Sequence, residues 1–176
     1  ARVGDTTSVS EFAEALRNGR ITRQATDISM PLAGLKFPPR DLTHALAQQL
    51  MLIETAREAV GTDADLPTDR TSVLIGMQCD AEVARYGMRW RLADWCTDAS
   101  LTTHVTSLRD AVIPVLESAG VVGNMPNIVA NRLNSQFNLG GPSLALSSEE
   151  SSGLVALQLA LRQLRHHEVD AAIVGA

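Results

Sequence analysis

The residues best placed to do chemistry are Glu149 and Glu150. They stand in the run Gly140-Gly141-Pro142-Ser143-Leu144-Ala145-Leu146-Ser147-Ser148-Glu149-Glu150-Ser151-Ser152-Gly153-Leu154-Val155-Ala156-Leu157. A Gly-Pro turn leads into a short apolar run. A tight polar corner follows, and then a helix with Glu150, Ser151 and Ser152 in its first turn. At a strand–turn–helix corner the turn side chain is pushed outward and the helix N-terminus favours negative charge. Many enzymes hold a nucleophile in that setting, yet here the corner residue is a carboxylate.

The other reactive types carry less. Cys79 and Cys96 have neither the spacing of a disulfide framework nor that of a metal site, and they read as two free thiols. His166 and His167 close a helix where positive charge suits the dipole, which favours a cap over a metal or catalytic pair. Gln48, Gln49 and Glu54 fall inside an amphipathic helix, where polar side chains are expected to be solvated. The cluster Arg89-Trp90-Arg91 could stack on a ligand or a base. In an acidic chain, packing of a partly covered helix is the better reading. No cofactor and no metal is implied.

These residues need a scaffold, and 176 residues suffice for one domain with a sizeable core. Hydrophobic residues make up 45% and aromatics only 3%, so the core must come from Leu, Val, Ile and Ala. The formal charge of −5 argues against a nucleic-acid partner, which needs a basic face. No apolar run approaches the roughly 20 residues of a membrane span. A charged-then-apolar leader is also missing, so a cytoplasmic protein without membrane contact is expected.

Along the chain, Ser8-Val9-Ser10-Glu11 is a capping box: Ser8 accepts from the Glu11 amide while Glu11 reaches back. Phe12, Ala15 and Leu16 give that helix one apolar stripe, and Gly19 stops it. Residues 20–40, with three prolines, read as irregular. The spacing of Leu42, Leu46, Leu50, Ile53 and Ala56 predicts one helix from Asp41 to Val60, closed by Gly61. Thr71 to Gly76 is a strand covered on both faces. Asp80 to Trp95 is helical, and residues 97–120 are ambiguous because Pro114 interrupts them. A helix from Ile128 to Phe137 and a turn at 138–142 follow. Leu144 to Leu146 is a short buried strand. From Ser151 to Arg165 a helix runs that is apolar nearly all round and therefore buried in a layer. Ala171 to Gly175 is another buried strand. Strands alternating with helices predict α/β layers, a mostly parallel central sheet and a crossover through the buried helix.

The residues that carry a family resemblance are Asn127, Ala130-Asn131-Arg132, Phe137-Asn138-Leu139-Gly140-Gly141-Pro142-Ser143, Ser151-Ser152-Gly153-Leu154-Val155-Ala156-Leu157 and Asp170-Ala171-Ala172-Ile173-Val174-Gly175. Together they resemble the N-terminal half of a β-ketoacyl synthase (ketosynthase) of the thiolase superfamily. The upstream Gln48-Gln49 with Glu54 matches the helix that such domains carry before their second core strand. The blocks Met125–Arg132 and Ser147–Glu150 are similar to polyunsaturated-fatty-acid-type and other large modular synthases, including polyketide synthases. The resemblance implies a thiolase-like layered α/β fold, with residues 1–176 as its N-terminal portion, incomplete at both ends.

The resemblance also identifies what departs. In condensing members the corner reads Ala-Cys-Ser-Ser, and the Cys takes the acyl chain as a thioester. Here Glu150 stands in that place, with Glu149, Ser151, Ser152, Gly153, Met125 and Asn127 as corner and pocket neighbours. The family's two catalytic histidines belong to the C-terminal half, and His44, His104, His166 and His167 match neither. The implied partners are an acyl carrier protein and its acyl thioester, with a homodimer or pairing with an active ketosynthase. Four readings stay open: a non-condensing chain-length-factor-like partner or scaffold, a malonyl-carrier-protein decarboxylase, an active β-ketoacyl synthase completed by another segment, and a structural dimerisation domain. Outside the family, Glu149-Glu150 would be an ordinary acidic helix start.

Overall fold

A computed structural model describes residues 3–23, 28–61, 65–96, 104–112 and 115–176, the side chains of Glu82 and Arg85 excepted. Its centre is strand β1 (Thr71–Gly76), a run of β-branched and apolar residues buried at every position. Strands β2 (Ser143–Leu146) and β3 (Ala171–Gly175) both pair with β1 in parallel, giving the order β2-β1-β3. Leu74 is opposite Leu144 on one side and Val174 on the other.

Parallel sheets need cover on both faces. Successive β1 side chains point to opposite faces, which divides the core in two. Val73 and Ile75 pack with Ile53 and Ala56 of helix α3 (Ala47–Val60) and with Val129, Ala130 and Leu133 of helix α7 (Ile128–Phe137). Leu74 faces the other way, onto Ala156 and Ala160 of helix α8 (Ser152–Arg165). The remaining α-helices among the described residues are α1 (Val9–Arg17), α2 (Pro39–Thr43), α4 (Ala84–Trp95), α5 (Val105–Val112) and α6 (Ser118–Asn124).

The expected α/β layering with a parallel sheet is what the chain adopts, and the bounds of α7 and β3 fall where the sequence places them. Several expectations need correction. The single helix from Asp41 to Val60 is two, α2 and α3, broken at residues 44–46. The cause is a crossing: the backbone of Gly123 lies against His44 and Ala45, and the Leu46 amide donates to the Gly123 carbonyl at 3.0 Å.

Helix α8 starts at Ser152, so Glu150 precedes the helix rather than opening it. It is also not buried all round. Its inward face is the small-residue stripe Ser152, Ala156 and Ala160, which lets the helix approach β1 closely, while Leu154 is 71% exposed. No second layer covers that outer face among the described residues. Strands β2 and β3 are half-buried for a related reason, since each has only one strand neighbour.

In α1, Ser8 does accept from the Glu11 amide at 3.2 Å, but the Glu11 carboxylate reaches back to Thr7, and Leu16 points outward. Pro114 and residues 97–103 lie outside the described residues.

Candidate functional site: the β2–α8 corner

The corner is built from its approach. Asn138 ends α7 in the left-handed region, φ 56°, which turns the chain into Leu139–Pro142. Gly141 passes so close to the Thr71 carbonyl that no side chain fits there, and Asn134 donates to the Gly141 carbonyl at 3.2 Å. The Val73 amide then donates to the Pro142 carbonyl at 2.8 Å, which sets β2 in register beside β1. Asn131 and Ser143 meet at 3.3 Å through their side chains, tying α7 to the first residue of β2.

Beyond β2 the chain reverses within five residues. Glu149 takes a left-handed backbone, φ 49°, a conformation that costs a non-glycine residue energy and needs support. Ser152 supplies it. Its hydroxyl oxygen accepts from the Ser148 amide at 2.9 Å and donates to the Glu149 carbonyl at 2.6 Å. The Ser151 and Ser152 amides donate back to the carbonyls of Ser148 and Glu149 at 3.0 and 3.1 Å. Ser152 is buried inside this latch, while Glu149, Glu150 and Ser151 are exposed and Gly153 is half-buried. Neither glutamate carboxylate makes a hydrogen bond or ion pair among the described residues.

The corner sits on the carboxyl edge of the sheet, where open parallel sheets bind ligands. Gly76, the last residue of β1, lies under the start of α8; a β-carbon there would stand 2.6 Å from the Ser152 carbonyl carbon and 2.8 Å from the Gly153 nitrogen. On the α3 side the same Gly76 borders a cavity of about 410 Å³ shared with Gln48, Met51 and Gln78.

Met125 and Asn127 lie at the junction of α6 and α7, and neither hydrogen-bonds to the corner among the described residues. What organises that junction is Gln49. The expectation of a solvated residue is wrong here: Gln49 is fully buried, and its side-chain amide donates to the carbonyls of Gly123 at 2.8 Å and Met125 at 3.1 Å. The last carbonyls of a helix have no partner within it, and Gln49 meets that of Gly123 at the end of α6 and that of Met125 just beyond it. Arg132 is likewise buried, with its guanidinium 5.1 Å from the centre of the Phe37 ring. Burial lowers its affinity for a proton, and the nearby Asp41 charge opposes that shift.

The remaining candidates lie elsewhere. Cys79 and Cys96 are free thiols, the first exposed and the second half-buried. His166 and His167 are exposed beyond the last turn of α8. Trp90 is 76% exposed, so it does not pack under a covering layer as expected. Among the described residues no group of three His, Cys, Asp or Glu could hold a metal ion. None of the helices there is long and apolar enough to cross a membrane.

Comparison with known proteins decides the family. The family described as "Beta-ketoacyl synthase, N-terminal domain" matches residues 29–176. The chain belongs to that family. Polyketide synthase GfsB of Streptomyces halstedii is 34% identical over 163 residues, which is 90% of this chain and 2% of the relative. Two solved structures share the thiolase-like ketosynthase fold. A structure titled "PfaC Keto synthase-Chain length factor" superposes with a TM-score of 0.67 at 18% identity, covering 91% of this chain and 21% of the other. Another, "The ishigamide ketosynthase/chain length factor", gives 0.59 at 17% identity over 95% of this chain and 48% of the other. This ketosynthase-like chain therefore spans a small part of the curated relatives and half or less of the solved ones.

Sequence reasoning found the corner but not what holds it. Ser152 was legible only as a neighbour of Glu150, and its latch depends on Glu149 turning left-handed. Gly76 did carry a signal, because glycine at a strand end marks close backbone approach.

Proposed function

We propose that this ketosynthase-like domain of a polyketide or fatty-acid synthase does not condense acyl chains and instead serves as the chain-length-factor-like partner or scaffold of an active ketosynthase. The observation that carries this reading is Glu150, an exposed carboxylate at the corner where condensing relatives have their Cys. An acyl group on a carboxylate is a mixed anhydride, far more labile than a thioester, so a covalent relay through Glu150 is unproductive. The negative charge is well suited to the N-terminal end of the 14-residue α8. There it holds a fixed negative charge at the place where a charged intermediate would form.

Glu149, Ser151, Ser152 and Gly153 shape the corner in this reading, and Met125 and Asn127 contribute to the pocket from the α6–α7 junction. Residues 1–176 form the N-terminal portion of the ketosynthase-like unit, acting in the cytoplasm with an acyl carrier protein and a second ketosynthase. The two neighbours whose titles name a chain length factor support that pairing. Decarboxylation of a malonyl group fits less well, because a fixed anion beside the thioester opposes the carbanion that forms.

The test is Glu150→Cys in the full-length domain, with Cys79 and Cys96 changed to Ser. The new thiol should be acylated by an acyl thioester or labelled by a thiol reagent. A folded variant that does neither overturns the corner assignment. Carbon dioxide release from malonyl-carrier protein that depends on Glu150 overturns the scaffold role.

A further inference from the structure

Between α4 and α5 lies a cavity of about 320 Å³, lined by Tyr86, Arg89, Trp90, Arg109, Val115 and Leu116. It shares no residue with the sheet or with the β2–α8 corner. One wall is apolar: Trp90, Val115 and Leu116, all substantially exposed. Adjoining large apolar groups left open to water mark a place where something else binds. The volume falls at the small end of the range for ligand pockets, whose usual make-up is apolar walls with a few convergent polar groups.

The polar groups fix the chemistry. The Nε of Arg109 is shut off from solvent and meets no acceptor among the described residues. A buried donor on a cation without an acceptor is costly, so the site lacks an acceptor rather than a donor. Arg89 already serves another purpose, donating to Asp110 at 2.6 Å with 13% of its side chain exposed. That pair clips α4 to α5 and largely cancels the Arg89 charge. The Tyr86 hydroxyl oxygen accepts from the Asn124 side-chain amide at 3.2 Å, which leaves its own O–H to donate. Among the described residues the cleft thus offers one uncompensated cation and one hydroxyl donor beside an indole and two aliphatic side chains. One guanidinium balances one negative charge, whereas a phosphate dianion needs a second, which the Arg89–Asp110 pair withholds.

We propose that the cleft between α4 and α5 binds an organic monocarboxylate, its carboxylate held by Arg109 and the Tyr86 hydroxyl and its apolar chain lying against Trp90, Val115 and Leu116. The chain has two tryptophans, so Trp95→Phe leaves Trp90 as the sole indole reporter. Titrating that protein with octanoate should change the Trp90 emission saturably. Arg109→Met should weaken binding at least ten-fold. Arg91→Met, which removes the same charge from an exposed position on α4, should leave it unchanged. Octanol, of equal length but uncharged, should bind at least ten-fold more weakly. Tyr86→Phe keeps the ring and removes the donor, so it should weaken octanoate several-fold even where Arg109→Met fails to fold. Absence of a saturable signal, equal binding of octanol, equal effects of Arg91→Met and Arg109→Met, or an unaffected Tyr86→Phe would each overturn the assignment.

Discussion

Substituting Gly76 by Ala tests whether the catalytic-type corner rests on the central strand. The added β-carbon would lie 2.6 Å from the Ser152 carbonyl carbon, 2.7 Å from its oxygen and 2.8 Å from the Gly153 nitrogen. All three are backbone atoms, so no flexible side chain can give way, and the start of α8 must lift off β1. Overpacking of this kind costs about 1–3 kcal/mol, and the upper part of that range is expected where backbone meets backbone. For a chain of this size the loss lowers Tm by about 4–10 °C. Gly87→Ala is the matched control: it lies in α4 with nothing within 4 Å of its added β-carbon, and it should gain roughly 0.5–1 kcal/mol from helix propensity. Urea unfolding of both variants, with m unchanged, should separate them by about 3 kcal/mol. Midpoints that coincide would refute the close seating of α8 on β1, and with it the positioning of Glu150.

Three further outcomes follow from the packing. Gln49→Met keeps the volume but removes the side-chain donor that the Gly123 and Met125 carbonyls have beside the Leu46 and Ile128 amides, and it should cost about 1–2 kcal/mol in chemical denaturation; Gln49→Glu should be worse at neutral pH and recover as the carboxylate protonates. Ile53→Ala, at a fully buried site, should cost about 2–5 kcal/mol, whereas Leu154→Ala on the outward face of α8 should stay within about 0.5 kcal/mol by the same assay. The Asp170 carboxylate is held below its ordinary 3.8 by its hydrogen bond with Arg70, so the folded form binds its proton more weakly than the unfolded chain. That contribution is present above the unfolded value and is lost as pH falls through the folded one. Asp170→Asn should therefore lower Tm on the neutral plateau and flatten the acid limb, with the two proteins converging at low pH.

What the sequence made legible is what local pattern governs. Helix α7 and strand β3 carry their own stop signals, Asn138 after Phe137 and the glycine closing β3, and both elements end where those residues put them. Ile53 and Ala56 fall on the stripe that reaches the core. The break between α2 and α3 was invisible because nothing in residues 44–46 forbids a helix. Gly123, almost eighty residues on, brings a backbone carbonyl to the Leu46 amide and three carbonyls within reach of Gln49. A polar residue on a helix is solvated by default and buried only when distant carbonyls need a donor. Helix α8 misled in the opposite sense. Its leucines suggest burial on every side, yet it is the alanines that touch β1, since only small residues allow that separation.

The corner also separates shape from chemistry. Every bond that holds it, from Ser152 to Ser148 and Glu149 and between the backbone groups of Ser148 to Ser152, leaves the side chain of residue 150 unused. Glu150 points into solvent from a frame that would be the same around a cysteine. A family can therefore lose the nucleophile by one substitution without disturbing the sheet, the turn or the start of α8. In the reading proposed above, such a substitution removes the covalent step and leaves the bonds of the corner in place, which is the condition under which a catalytic domain can persist as a partner. The same separation makes Glu150→Cys interpretable. The replacement removes no contact that supports the corner, so its reactivity reports the surroundings of position 150 rather than damage to the fold.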